Sequence, residues 1–219
     1  MAHRKGLDVP RPRQYEVESL LDHARRLWVR DGIAGVTVRA LAGASGVSNG
    51  SIYNAFGSLP TLLAQVWIRQ ADEFLAFQRN ETLKALERGS PQDAVVAGAL
   101  APAAYAERDE EGARLLLAVR PDDLTRQEVA DEQLKELTRL RRDLSNLIVD
   151  LAASLWGRND TSAVALIRIC VVDLPGRLLL SRNRPTDPLS RHALEAAVRG
   201  ITNATPPPNR QRSSNRRLR

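Results

Sequence analysis

From Tyr15 to Phe56 apolar residues recur at spacings of three and four, and the run is broken at Asp31-Gly32 and again at Gly46. Val17, Leu20, Leu21, Ala24, Leu27 and Trp28 fall on one face of a first helix. Gly32 is suited to end it in a left-handed cap. Thr37 is placed to N-cap a short second helix by accepting a bond from an orphan backbone N–H, and Ser48 to do the same for a third, Asn49 to Phe56. Gly46 can take the positive φ that a tight turn between these two helices needs. Three short helices, the last two joined by a tight glycine turn, have the form of a helix-turn-helix.

The rest of the chain also reads as helix. Ser58 is expected to cap a fourth helix, with Pro60 tolerated in its first turn and Thr61 to about Thr82 continuing it. Further helices are expected near 91–107, 110–119, 123–156, 161–181 and 188–202, separated by Pro121, by Gly157 to Asp160 and by Pro185 to Pro188. Pro175-Gly176 should kink the 161–181 helix. No alternating strand pattern and no internal repeat is seen. The expected architecture is all-α. Residues 1–13 form a flexible basic arm and 14–60 a helix-turn-helix domain. Residues 61–204 form a larger helical regulatory and dimerisation domain, and 205–219 a disordered basic tail.

Charge sharpens this outline. The chain carries +6 overall. Residues 1–60 hold +3 and the tail +5, from Arg210, Arg212, Arg216, Arg217 and Arg219, leaving −2 between them. Positive ends fit a polyanionic partner. No apolar run is long enough for a membrane span and no hydrophobic segment follows the basic N-terminus, so the expected compartment is the cytoplasm. Cys170, the one cysteine, sits in an apolar run and reads as a buried small hydrophobe. His3, His23 and His192 are far apart, without Cys or carboxylate partners at ligand spacing, so no metal site is expected. No P-loop or dinucleotide fingerprint is present, and no cofactor is expected.

In the third helix Ile52 and Phe56 lie at i and i+4 on the side that would pack with Leu41 and Val47. The opposite side carries Asn49, Gly50, Ser51, Tyr53 and Asn54. Such a face, without Lys–Glu pairs, suits a major groove. Asn can pair with adenine edges, Ser with several bases, and the Tyr hydroxyl with a phosphate. Thr37 and Arg39 stand at the start of the second helix, where N–H groups and the dipole favour a phosphate. Against this stands the plainer role of Thr37 and Ser48 as caps. Gly46-Val47-Ser48-Asn49-Gly50 also fits the G-x-S-x-G elbow of serine hydrolases. That motif needs a preceding strand, and here the preceding residues read as helix. The chain is therefore not expected to be an enzyme.

Residues 14–67 resemble the DNA-binding domain of the tetracycline-repressor (TetR) family. The resemblance rests on Thr37 to Ala42, on Ala44 to Ser48, and on Ser51 to Ser58, followed by Leu62-Leu63. It implies that the third helix reads DNA, with Arg39, Ser48, Ser51, Tyr53 and Asn54 at contact positions. It also implies a dimer, usually a repressor, released when a small molecule enters the C-terminal domain. The chain departs from the pattern where the family commonly has a lysine after Ser58, because Leu59 and Pro60 stand there. The arm's Arg4, Lys5, Arg11 and Arg13 are expected to replace that anchor by reaching the minor groove.

The expected partners are thus double-stranded DNA, a second copy of the chain and a small apolar ligand. Expected pocket residues are Phe74, Phe77, Tyr105, Leu116 and Trp156, since aromatics and Leu line apolar cavities. Expected dimer-interface residues are Leu166, Ile169, Leu174, Leu178, Leu194 and Val198, on the last two helices, with ordinary core packing as the competing reading. The alternatives to ligand-controlled repression are a ligand-independent dimer, a nonspecific DNA binder and, remotely, a serine hydrolase.

Overall fold

A computed structural model describes residues 12–118, 123–124, 128–180 and 185–208. Of the arm expected at 1–13, residues 1–11 lie outside the described residues, while Pro12 and Arg13 already belong to α1; of the tail expected at 205–219, residues 209–219 lie outside them, as does Pro121. Every regular element among the described residues is a helix. The order is α1 Pro12–Asp31, a single tight turn Ile33–Gly35, α2 Val38–Ser45, α3 Asn49–Phe56, α4 Leu59–Arg88, α5 Pro91–Arg108, α6 Glu110–Ala118, α7 Asp131–Trp156, α8 Thr161–Arg168 and α9 Pro188–Thr202. No described helix is long and apolar enough to cross a membrane.

Two compact units result. The first comprises Met1–Asp72 with Glu111–Thr138, and the second Glu73–Glu110 with Arg139–Arg219. This division is not the sequential one expected at residue 60, because segment 111–138 joins the first unit. The segment buries Leu115, Leu124 and Leu137 and is tied by polar contacts as well. Thr61 Oγ1 accepts from Ala130 N at 3.2 Å, and Arg25 reaches both Gln70 Oε1, at 2.9 Å, and the Glu111 carboxylate, at 3.3 Å. Helix bounds also differ from expectation. α4 runs on to Arg88, since its last two turns expose Leu83 and Leu86 and so lack an apolar face to mark them. α7 starts at Asp131, eight residues after the expected start at 123.

The first unit closes around Leu20, Leu21, Ala24, Leu27 and Trp28 of α1, with Leu41, Ile52 and Phe56, all buried. The second has a core of Ala94, Val95 and Ala99 of α5, Leu147, Ile148 and Leu151 of α7, Ile167, Cys170 and Val171, Leu179, and Leu194 and Val198 of α9. Burial pushes the Cys170 thiol up to about 11, as expected for a cysteine serving as a small hydrophobe.

Two prolines shape this second unit. Pro102 lies inside α5 and has no N–H to return to the carbonyl of Gly98, one turn back. Gln78 of α4 supplies the missing donor, with Nε2 2.8 Å from Gly98 O in a buried site. The approach is close: a Cβ on Gly98 would lie 3.0 Å from Thr82 Cγ2 and 3.4 Å from Val171 Cγ1. Gln78 and Pro102 therefore form one device, which predicts a double-mutant cycle. Gln78→Leu should cost about 1–3 kcal/mol by orphaning a buried carbonyl. In the Pro102→Ala background, where residue 102 regains its N–H, the same change should cost clearly less. Denaturant midpoints of the four proteins check this.

Pro175 acts differently. The expected kink is resolved as two stretches of wider π-helical turns, Ile169–Asp173 and Gly176–Leu180. Leu174 N donates to Ile169 O, five residues back. Widening the turn relieves the clash a proline ring makes with the carbonyl four residues earlier.

α9 lies antiparallel to α5 within this unit. Arg191 in its first turn pairs with Glu107 at the end of α5. Arg199 in its last turn pairs with Asp93 at the start of α5, at 3.1 Å. The Ser90 hydroxyl and then Arg199 hold the Asp93 carboxyl below its usual range. Beyond α9 the chain turns back. Arg158 donates to Pro206 O at 2.9 Å and, through Nε, to Asp160 at 2.6 Å. Asp160 also N-caps α8 by accepting from Ser162 N and Ala163 N.

Candidate nucleic-acid interface

The helix-turn-helix is built as its residues dictate. Thr37 is extended and its Oγ1 accepts from Ala40 N at 3.0 Å, opening α2. Gly46 closes α2 at φ 75°, ψ 2°, donating its N–H to Ala42 O. A side chain is strained at that angle, so glycine sets the turn. Ser48 then opens α3, its Oγ accepting from Ser51 N at 3.1 Å and lying 2.9 Å from Ser51 Oγ. Ser48 thus follows a helix rather than a strand and serves as a cap, which removes the context a hydrolase elbow needs.

Burial splits α3 cleanly. Ile52 is 2% exposed and Phe56 6%, whereas Tyr53 is 52% exposed. Asn49, Gly50, Ser51 and Asn54 are exposed with it, and Thr37 and Arg39 are exposed at the start of α2. The structure therefore brings the expected contact residues onto the open surface of one unit. Gly50 is informative. It lies inside the helix, where glycine costs about 0.5–1 kcal/mol relative to alanine. A Cβ there would meet only Ser48 Oγ, at 3.9 Å. Nothing among the described residues requires glycine at this place. The exposed face of α3 carries no charged side chain, so base edges would meet neutral donors and acceptors.

The residues expected at a ligand pocket are only partly together. In the second unit a solvent-open cleft of about 450 Å³ is lined by Glu73, Phe77 and Asn80 of α4 and by Tyr105, Arg108 and Asp109 at the end of α5. Phe77 and Tyr105 were expected. Phe74 lies behind them, edge-on to Tyr105 with ring centroids 5.4 Å apart. Leu116 belongs to the first unit and Trp156 packs against the second unit's core, so neither lines this cleft. The polar members, Glu73 and Asn80 within α4 and Arg108 and Asp109 at the end of α5, belong to no sequence motif.

The interface expectation needs correction. Leu194 and Val198 are each 0% exposed within the chain's own core, so they have no surface to offer a second copy. Leu166, Leu174 and Leu178 are half-buried, and Ile169 is 37% exposed. The open side of α9 instead carries Leu189, 75% exposed, with Ala193, Ala196 and Gly200 exposed at spacings of four, three and four. Leu189 and Ala193 are among the apolar positions the sequence offers on this helix, whereas Ala196 and Gly200, being small, carry no apolar signal.

Residues 20–66 match the family model described as bacterial regulatory proteins, tetR family. No curated protein sequence matches the chain. Solved structures do. A TetR family transcriptional regulator, PfmR, from Thermus thermophilus is 19% identical with a TM-score of 0.57, over 86% of this chain and 99% of its own. The multidrug binding protein EbrR, complexed with imidazole, is 20% identical with a TM-score of 0.61, over 93% and 100%. The transcriptional regulator FadR from Bacillus subtilis, in complex with stearoyl-CoA, is 12% identical with a TM-score of 0.55, over 85% and 95%. At these identities the likeness is one of fold.

Proposed function

We propose, from the premise that this chain is a member of the tetR family of bacterial regulatory proteins through its residues 20–66, that it represses transcription as a homodimer seated on a palindromic operator and is released by a small molecule bound in its second unit. The observation that carries the reading is the split of α3: Ile52 and Phe56 are buried, and Asn49, Ser51, Tyr53 and Asn54 are exposed with nothing among the described residues to cover them. Asn49, Ser51 and Asn54 read base edges. Tyr53, Thr37, Arg39 and the N–H groups opening α2 hold phosphates and fix the register. Ser48 contributes mainly by capping α3. Gly50 lets the sugar-phosphate backbone come close.

A two-fold dimer matches an inverted repeat with half-sites about one helical turn, or a multiple of it, apart. The exposed row Leu189, Ala193, Ala196 and Gly200 supports α9 as the interface helix, because small side chains let two helix backbones approach. The ligand-bearing states of EbrR and FadR support a small-molecule effector. The cleft at Phe77 and Tyr105 supports its placement in the second unit.

Selection of bound duplexes from a random pool tests the central claim. The expected result is enrichment of one inverted repeat, bound about 10³-fold or more above random duplex at the same salt. Equal retention of all sequences would overturn the reading.

A further inference from the structure

The lining of the second unit's cleft points to the charge of its ligand. Its floor is aromatic: Tyr105 is 4% exposed and meets the rings of both Phe74 and Phe77 at 5.4 Å. Its rim is ionic, with the carboxylates of Glu73 and Asp109 against the one guanidinium of Arg108. That guanidinium, though exposed, lies over an aromatic ring. Its Cζ stands 5.7 Å over the centroid of the Phe77 ring. An aromatic face attracts cations through its quadrupole, and here the chain's own cation occupies it.

We propose that this cleft binds an organic cation with an apolar body, whose charge takes the place over Phe77 now held by Arg108. The proposal rests on the ligand-controlled reading above and names the ligand's class, replacing the apolar ligand expected from sequence. Three features of the lining carry it. The π-face favours positive charge. The lining's own charged side chains are two carboxylates and one guanidinium, which disfavours an anion there, and a carboxylate accepts from several donors at once, so Glu73 and Asp109 serve a ligand while keeping other partners. A wholly neutral, apolar molecule would strip water from Glu73, Asn80 and Asp109 without replacing their bonds. About 450 Å³ is the size of a site for a drug-sized molecule.

Arg108 is then a competitor and not a ligand anchor, which gives the test an unusual sign. Tetraphenylphosphonium and tetraphenylborate share one shape and differ in charge. Each is titrated calorimetrically into the full chain without DNA. The expected result is phosphonium binding at least tenfold tighter than borate. Phe77→Leu should weaken phosphonium binding about fivefold or more, and Arg108→Gln should strengthen it severalfold. Arg108 is exposed, so the second variant remains informative even if the first fails to fold. Borate binding as well as phosphonium, or weaker phosphonium binding by Arg108→Gln, would overturn the proposal. Because no DNA is present, this outcome is separate from the parent reading. Phosphonium that binds in a Phe77-dependent way and leaves operator affinity unchanged would sink ligand release while leaving the cation site standing.

Discussion

Ile52→Asp is expected to destroy the helix-turn-helix, while Asn54→Ala, two residues along the same helix, leaves the fold intact and still loses the operator. Ile52 is 2% exposed among the apolar side chains of its unit. A carboxylate there is a buried charge without a partner, and the cost exceeds about 4 kcal/mol. Folded domains are held by only about 5–15 kcal/mol, so a loss of this size is enough to unfold the helix-turn-helix. Circular dichroism should show lost helix and an early, broad melt. Asn54 is exposed, so its truncation should shift Tm by no more than a degree or two. A good side-chain contact to a base discriminates by about 1–3 kcal/mol, roughly 10- to 100-fold, and a symmetric dimer would lose it twice. The preference for one base pair in each half-site should relax. Tyr53→Ala should behave differently again, weakening all sequences alike, as loss of a phosphate contact does. Unchanged operator affinity for Asn54→Ala together with Tyr53→Ala would place the DNA-reading surface elsewhere.

Ala196→Arg is expected to have the second large effect. Ala196 sits mid-way along the exposed row of α9. In a two-fold interface every substitution enters twice, so two long cations are introduced into a seam where close packing needs methyl groups. Sedimentation should show a monomer in place of a dimer. Binding to a palindrome should fall about 10²–10⁴-fold, since the second half-site no longer benefits from tethering. The helical signal and Tm of the second unit's own core should stay, because Leu194 and Val198 face the other way. A variant that remains a dimer with full operator affinity would remove α9 from the interface.

Where local chemistry decides, the sequence was sufficient. Thr37 and Ser48 are caps because an extended residue with a short hydroxyl precedes each helix, and Gly46 turns the chain because only glycine is at ease at φ 75°. The opposed faces of Ile52 and Tyr53 follow from a 3.6-residue period. Where two sides of a helix compete, local pattern fails. α9 has a bulky apolar row and a small one, and only packing against α5 decides that Leu194 and Val198 turn inward. The cleft was illegible for another reason. Glu73 and Phe77 lie about thirty residues from Arg108 and Asp109 in the chain, and no spacing rule joins them. The role of Gln78 was legible in principle. A proline inside α5 announces an orphaned carbonyl, but which side chain reaches it depends on how α4 lies beside it.

The fastening of α9 bears on how it could work as a contact between copies. Arg191 on Glu107 anchors its beginning, Arg199 on Asp93 its end, and Arg158 holds the segment that leaves it. A beam supported at both ends resists bending far better than one fixed at a single end. Each tie is weak alone, yet together they keep the open row straight, so a partner would find it ready-shaped and little ordering entropy would be lost on docking.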